Sequence, residues 1–161
     1  MHLSLFICVF ISLFASNHAA KISGKHAVAV TGELKCGTKA AAGSYIRLFR
    51  VKPASPSKED PNQMLDEEKS DGIGKFLVEG NTNGFPVAEL EMNSPVISIY
   101  HSCDLSPEEV KKSGYRKFSY SIPKDFVAAG AKAKRTFDIG NINLQIKYPE
   151  ESRDKNFKPQ E

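Results

Sequence analysis

The chain has 161 residues, 40% of them hydrophobic, with 22 Lys and Arg against 19 Asp and Glu for a net charge of +3. That length fits one domain around one core. A balance this mild lacks the basic bias of a nucleic-acid binder and excludes that class.

Residues 1–20 contain no Asp, Glu, Lys or Arg, and Leu3 to Phe14 form an apolar run broken only by Ser4, Cys8 and Ser12. The run is about 12 residues, short of the roughly 20 needed to cross a bilayer. With the small residues Ala15, Ser16, Ala19 and Ala20 behind it, it reads as a secretory signal peptide cleaved between Ala15 and Ala20. No later segment is apolar enough to span a membrane, so the expected product is soluble and extracellular, not an integral membrane protein. There is no Asn-x-Ser/Thr sequon.

His26 to Cys36 alternates, with Val28, Val30, Leu34 and Cys36 on one face and Thr31, Glu33 and Lys35 on the other. This is the pattern of a strand whose faces differ. A turn over Gly37 to Gly43 leads to a second strand, Ser44 to Lys52, with Ile46 and Leu48 inward. Its outer row, Tyr45, Arg47, Phe49 and Val51, is unusually apolar. Two readings stand for that row: a rim packed by a loop, or an exposed aromatic contact surface. Pro53 to Asp71 has three prolines, several acids and no periodicity, and is expected to be a long acidic loop; its spacing does not match an EF-hand. Lys75 to Gly80 is a short strand, and Asn81 to Ser94 another loop.

Pro95 to Cys103 is the most regular strand. Ile97, Ile99, His101 and Cys103 share the inner face, and Val96, Ser98 and Tyr100 the outer. Once Cys8 leaves with the signal, Cys36 and Cys103 remain in an oxidising compartment and both point inward, which predicts one disulfide between them. Ser106-Pro107-Glu108-Glu109 has the order of an N-cap, a first-turn proline and first-turn acids, predicting one or two helical turns. Tyr115 to Ile122 is a strand with Phe118, Tyr120 and Ile122 inward. A short helix is expected around Phe126 and Val127. Arg135 to Tyr148 is the last strand, with a bulge at Gly140 that shifts the parity of Ile142, Leu144 and Ile146. Residues 21–148 are thus expected to make one all-β domain of about seven short strands, an antiparallel β-sandwich or a flattened open barrel. Residues 149–161, with Phe157 their only large apolar side chain, are expected to fray as a charged tail.

Several of these pieces together identify a likeness: Val28-x-Val30-x-Gly32-x-Leu34-x-Cys36, Gly74-x-Phe76-x-Val78-x-Gly80, Pro95-x-Ile97-x-Ile99-Tyr100-His101-x-Cys103, Arg116-Lys117 and Asp138-Ile139-Gly140-x-Ile142-x-Leu144. The chain resembles the nematode transthyretin-like family of secreted proteins from His26 to Tyr148. The resemblance implies a transthyretin-like sandwich, export, and a binding or bridging role outside the cell. Relatives usually carry a further cysteine just before the Arg-Lys pair; here Ser113-Gly114-Tyr115 stands in its place, so a second disulfide of that kind is not expected.

For chemistry, His101 and Cys103 invite a Cys-His dyad, but a cysteine held in a disulfide offers no thiolate. His101 is read instead as a core or rim histidine with one satisfied hydrogen bond. His26 and His101 are the only mature histidines, too few for a usual metal cluster, and no cofactor is expected. Hydroxyisourate hydrolases resemble transthyretin and end in Tyr-Arg-Gly-Ser, an ending this chain lacks. The reading is therefore a non-enzymatic extracellular binding or adaptor protein. Its expected contact residues are Tyr45, Arg47, Phe49, Arg116 and Lys117, and its expected partner an extracellular protein, an anionic lipid or a cell-surface polymer. Arg50, Lys111, Lys112, Lys132, Lys134 and Arg135 add to the basic surface considered for that contact. The alternative is a carrier holding a small hydrophobic ligand against Phe76, Ile99 or Phe118; a hydrolase is the third reading.

Overall fold

The computed structural model describes residues 24–53 and 59–160; the signal-peptide reading of residues 1–20 lies outside them. In chain order the elements are β1 (His26–Cys36), β2 (Lys39–Ala40), β3 (Tyr45–Phe49), β4 (Met64–Lys69), β5 (Lys75–Asn81), β6 (Val96–His101), α1 (Pro107–Ser113), β7 (Tyr115–Ser121), β8 (Ala128–Ala129), β9 (Thr136–Asn143) and β10 (Ser152–Asp154). They form two five-stranded sheets. Sheet A gathers β2, β5, β8 and β9 around β1, and sheet B runs β10-β7-β6-β3-β4. Pairing is antiparallel except between β1 and β9, which run parallel. The expected all-β sandwich is what the chain forms.

The core lies where the inner rows of the two sheets meet. Val28, Val30, Leu34, Phe76 and Val78 of sheet A pack against Ile46, Leu48, Ile97, Ile99 and Phe118 of sheet B. This is the alternation of the sequence converted into one apolar layer, and burial of such side chains stabilises by roughly 1.5–3 kcal/mol each. Cys36 and Cys103 are bonded, with their Cα atoms 5.6 Å apart, joining the end of β1 to the turn just after β6. Gly140 takes φ +74, and the register of β9 on β1 slips between Thr31 and Glu33, so the bulge falls where expected.

Four expectations are corrected. The supposed acidic loop from Pro53 to Asp71 contains β4, the edge strand of sheet B, paired with β3 from Tyr45–Lys69 to Phe49–Met64. Charged residues suit an edge strand, where only one side is paired. The last strand stops at Asn143, so Ile146 is exposed rather than inward. The tail expected to fray instead adds β10 to the free edge of β7, pairing Ser152 with Lys117 and Asp154 with Tyr115. The short helix expected near Phe126 is a single 3-10 turn, Lys124–Phe126. By contrast α1 forms as read, with Ser106 and Glu109 making a reciprocal capping box.

Candidate functional site

The five expected contact residues fall in two places. Tyr45, Arg47 and Phe49 of β3 and Lys117 of β7 stand on the outer face of sheet B. Arg116, of opposite parity, reaches the end of the sandwich beside the disulfide.

On the outer face, cross-strand register aligns Lys69, Tyr45, Tyr100 and Lys117 in one row and Glu67, Arg47, Ser98 and Ser119 in the next. Pairing of neighbours across strands makes such rows continuous surfaces. The exposed-surface reading of the outer row of β3 is corrected, because this face is covered. β6 is buried along its whole length, Tyr100 and Ser98 included, and Phe49 is buried too. Part of the cover is the C-terminal segment. Phe157, 9% exposed, stacks on Tyr100 with ring centroids 4.1 Å apart and meets Tyr45 and Tyr115 at 5.1 and 5.3 Å. The Arg47 guanidinium lies 4.4 Å from the centre of the Phe157 ring and donates to the Lys158 carbonyl. The Gln160 amide donates to Glu67 at 2.8 Å. Beside this segment lies a cleft of about 440 Å³ bordered by Arg47, Glu59, Met64, Tyr100 and Phe157. The packed-rim reading stands, with the chain's own tail doing much of the packing.

Two cations of this face, Arg47 and Lys117, are matched. Arg47 pairs with Glu67, and Lys117 with Glu59, which also accepts from Ser98 at 2.7 Å and from Ser119. Burial alone would raise the Glu59 carboxyl, but the Lys117 and serine hydrogen bonds hold it below the ordinary range. Arg50 is buried, donating to the Glu91 carbonyl at 2.7 Å and to Gln63. Arg47, Arg50 and Lys117 are therefore tied into the fold rather than presented as a bare basic patch.

At the sandwich end, Arg116 clamps Glu151 with two hydrogen bonds, Nε at 2.6 Å and Nη2 at 3.1 Å. It also donates to the carbonyls of Cys103 and Ile146. Glu151, further bonded by the Tyr148 amide, stays below the usual carboxylate range against the opposing effect of burial. His101 lies nearby, 1% exposed, with Phe118 edge-on at 6.3 Å between centroids. Neither ring nitrogen has a hydrogen-bond partner among the described residues, which corrects the expectation of one satisfied bond. Burial, helped by the charge of Arg116, lowers its pKa from 6.5 to about 4. A cavity of about 290 Å³ opens between the disulfide, Ala41, Ser44, His101 and Tyr115. Cys103 is half of the disulfide, so no Cys-His dyad is present at this position. His26 is elsewhere, its Nδ1 within 3.1 Å of the Leu90 carbonyl.

Sequence reasoning found Tyr45, Arg47 and Lys117 but not Tyr100 and Tyr115 as their neighbours, nor Phe157. The register that aligns Tyr45 with Tyr100 is not written in either strand alone. The lone aromatic of the tail was the available signal for Phe157.

Set against known proteins, the sequence profile of the Transthyretin-like family matches residues 31–123. Transthyretin-like protein 46 of Caenorhabditis elegans is 33% identical over 146 residues, which is 91% of this chain and 75% of that one. Transthyretin-like protein 33 of the same organism is 35% identical over 125 residues, 78% of each chain. Transthyretin-like protein 5 is 27% identical over 148 residues, 92% of this chain and 96% of its own. A 9R-lipoxygenase from Cyanothece superposes with a TM-score of 0.40 at 15% identity, over 73% of this chain and 16% of that one, and carries no argument.

Proposed function

Since the chain belongs to the transthyretin-like family, we propose that it works as a secreted, non-enzymatic binding or adaptor protein outside the cell. The observation that carries the binding reading is the outer face of sheet B. There an aromatic side chain is already seated among Tyr45, Tyr100 and Tyr115 with a guanidinium over it. Aromatic and arginine side chains are the residues that dominate protein contact surfaces. The Cys36–Cys103 bond supports export, because such bonds persist in oxidising compartments. The same bond weighs against thiol catalysis. The carrier alternative draws no support from Phe76, Ile99 and Phe118, which are packed into the central cluster.

The test is a pull-down of the mature protein against extracellular membranes and matrix at low and high salt. Because Arg47, Arg116 and Lys117 are each paired with a carboxylate, a retained partner is expected to stay bound as salt rises. Complete loss at high salt would instead point to an anionic lipid or polymer held by other basic residues. Retention no greater than that of a heat-denatured control would defeat the binding reading.

A further inference from the structure

We propose that the outer face of sheet B is an acceptor for an extended, aromatic-bearing peptide of a partner protein, and that residues 152–160 are its resident occupant. This rests on the binding-protein reading above and names the class of partner.

The contact has two parts, and both are those of strand addition at a sheet edge. Backbone pairing comes first: Ser152, Arg153 and Asp154 pair with Lys117, Arg116 and Tyr115 along the edge of β7. The side-chain anchor follows five positions after the first pair, where Phe157 enters the three tyrosines under Arg47. Arg47 and Lys117 already have acidic partners, so the face selects for an extended backbone and an aromatic ring rather than for charge.

The occupant is separable from the fold that receives it. The central cluster, from Val28 to Leu144, closes without Phe157, which packs on the opposite face of sheet B. Leading into the segment, Glu150 holds φ +60, a left-handed conformation that costs a non-glycine residue free energy. Glu151 beside it is held by Arg116 and by its turn with Tyr148, so the chain is fixed just before the segment and residues 152–160 can leave without undoing that anchor. The partner we assign is therefore a segment able to pair its backbone with β7 over three residues and then bend across the sheet to put Phe or Tyr at the position of Phe157.

The experiment uses the full chain carrying Phe157→Ala and a labelled synthetic peptide with the sequence of residues 152–160, beside the same peptide with its Phe replaced by Ala. A tethered segment competes at an effective concentration in the mM range. The Phe157→Ala chain is expected to bind the Phe peptide at least ~10-fold more tightly than the wild-type chain does, and ~10-fold more tightly than it binds the Ala peptide. Equal binding of both peptides, or none at about 1 mM, would overturn the proposal if the variant keeps its disulfide and a cooperative melt. A wild-type chain that pairs with the Phe157→Ala chain as a dimer would also overturn it, by making a second copy the occupant. Should Phe157→Ala not fold, amide exchange on the wild-type chain decides. Excess Phe peptide is expected to speed exchange in the 152–154 backbone, and unchanged exchange would overturn the proposal. Because only purified chain and peptide are used, failure here leaves the pull-down reading standing, and failure of the pull-down leaves this site standing.

Discussion

His101 shows how far a parity argument reaches. The alternation of β6 put it inward, and it is inward; what the sequence did not show is that its ring meets Phe118 and finds no hydrogen-bond partner among the described residues. Side-chain partners come from other elements, so one strand's pattern cannot supply them. The consequence is a pH dependence with a definite sign. The unfolded imidazole takes a proton near pH 6.5, whereas the buried one resists until about 4. Stability present above pH 6.5 is therefore lost as the pH falls from there towards 4, by at most about 3 kcal/mol. Glu151 acts in the same sense lower down, since its carboxylate is held below the ordinary 4.5 and its contribution disappears as pH falls through the folded value. Denaturant unfolding across pH 4–7 should show the loss, and His101→Leu should flatten it. An unchanged slope in that variant would remove His101 as the cause. Glu151→Gln, which leaves Arg116 facing a neutral group, is expected to cost roughly 3 kcal/mol at pH 7 by the same measurement.

At the scale of elements, legibility followed locality. The N-cap, first-turn proline and first-turn acids of α1 lie within four residues, Ser106 to Glu109, and were readable from them. β4 was not, because Asp66, Glu67, Glu68 and Lys69 give no apolar alternation; its partner Arg47 lies on another strand and supplies the complement to Glu67. β10 was missed for a related reason. Its three residues are polar, and what holds them is the edge of β7 and the anchor three residues further on. Gly114 marks the place in advance. It has φ +80, and a Cβ there would collide with the Asp154 carbonyl. Gly114→Ala is expected to destabilise the protein by about 1–3 kcal/mol. It should also release the tail, so trypsin should cut after Arg153 and Lys155 faster than in the wild type. Equal cleavage rates would mean that the tail does not depend on that close approach.

For the molecule as a whole, alternating rows in β1, β3, β5, β6 and β7 were enough to give an all-β fold with one buried face per strand, since each row has only one way to leave water, while the choice of a sandwich over a flattened barrel came with the family likeness. The disulfide followed from compartment and parity together. Intact-mass analysis of exported protein should show the loss of two hydrogens and one cross-linked peptide pair, and free thiols at both cysteines would contradict it. Reducing the bond, which spans a sequence separation of 67, is expected to lower stability by about 4 kcal/mol. N-terminal sequencing should find the mature chain beginning between residues 16 and 21; Met1 retained in secreted material would refute export by a cleaved signal.

The parallel pairing of β1 with β9 has a consequence in time. β1 is made first, yet its neighbour along Ala29 to Lys35 is not synthesised until residues 136–143. Until then the central strand of sheet A keeps one open side, and pairings this distant in sequence are slow to close. Cys103 arrives earlier than β9, so oxidation can fasten β1 to β6 while sheet A is still incomplete. The covalent link then acts as a waiting clasp: it shortens the search that the last strand ends. A chain stopped at residue 135 should accordingly form the Cys36–Cys103 bond on oxidation yet show no cooperative melt, the two events separating at the point where β9 is missing.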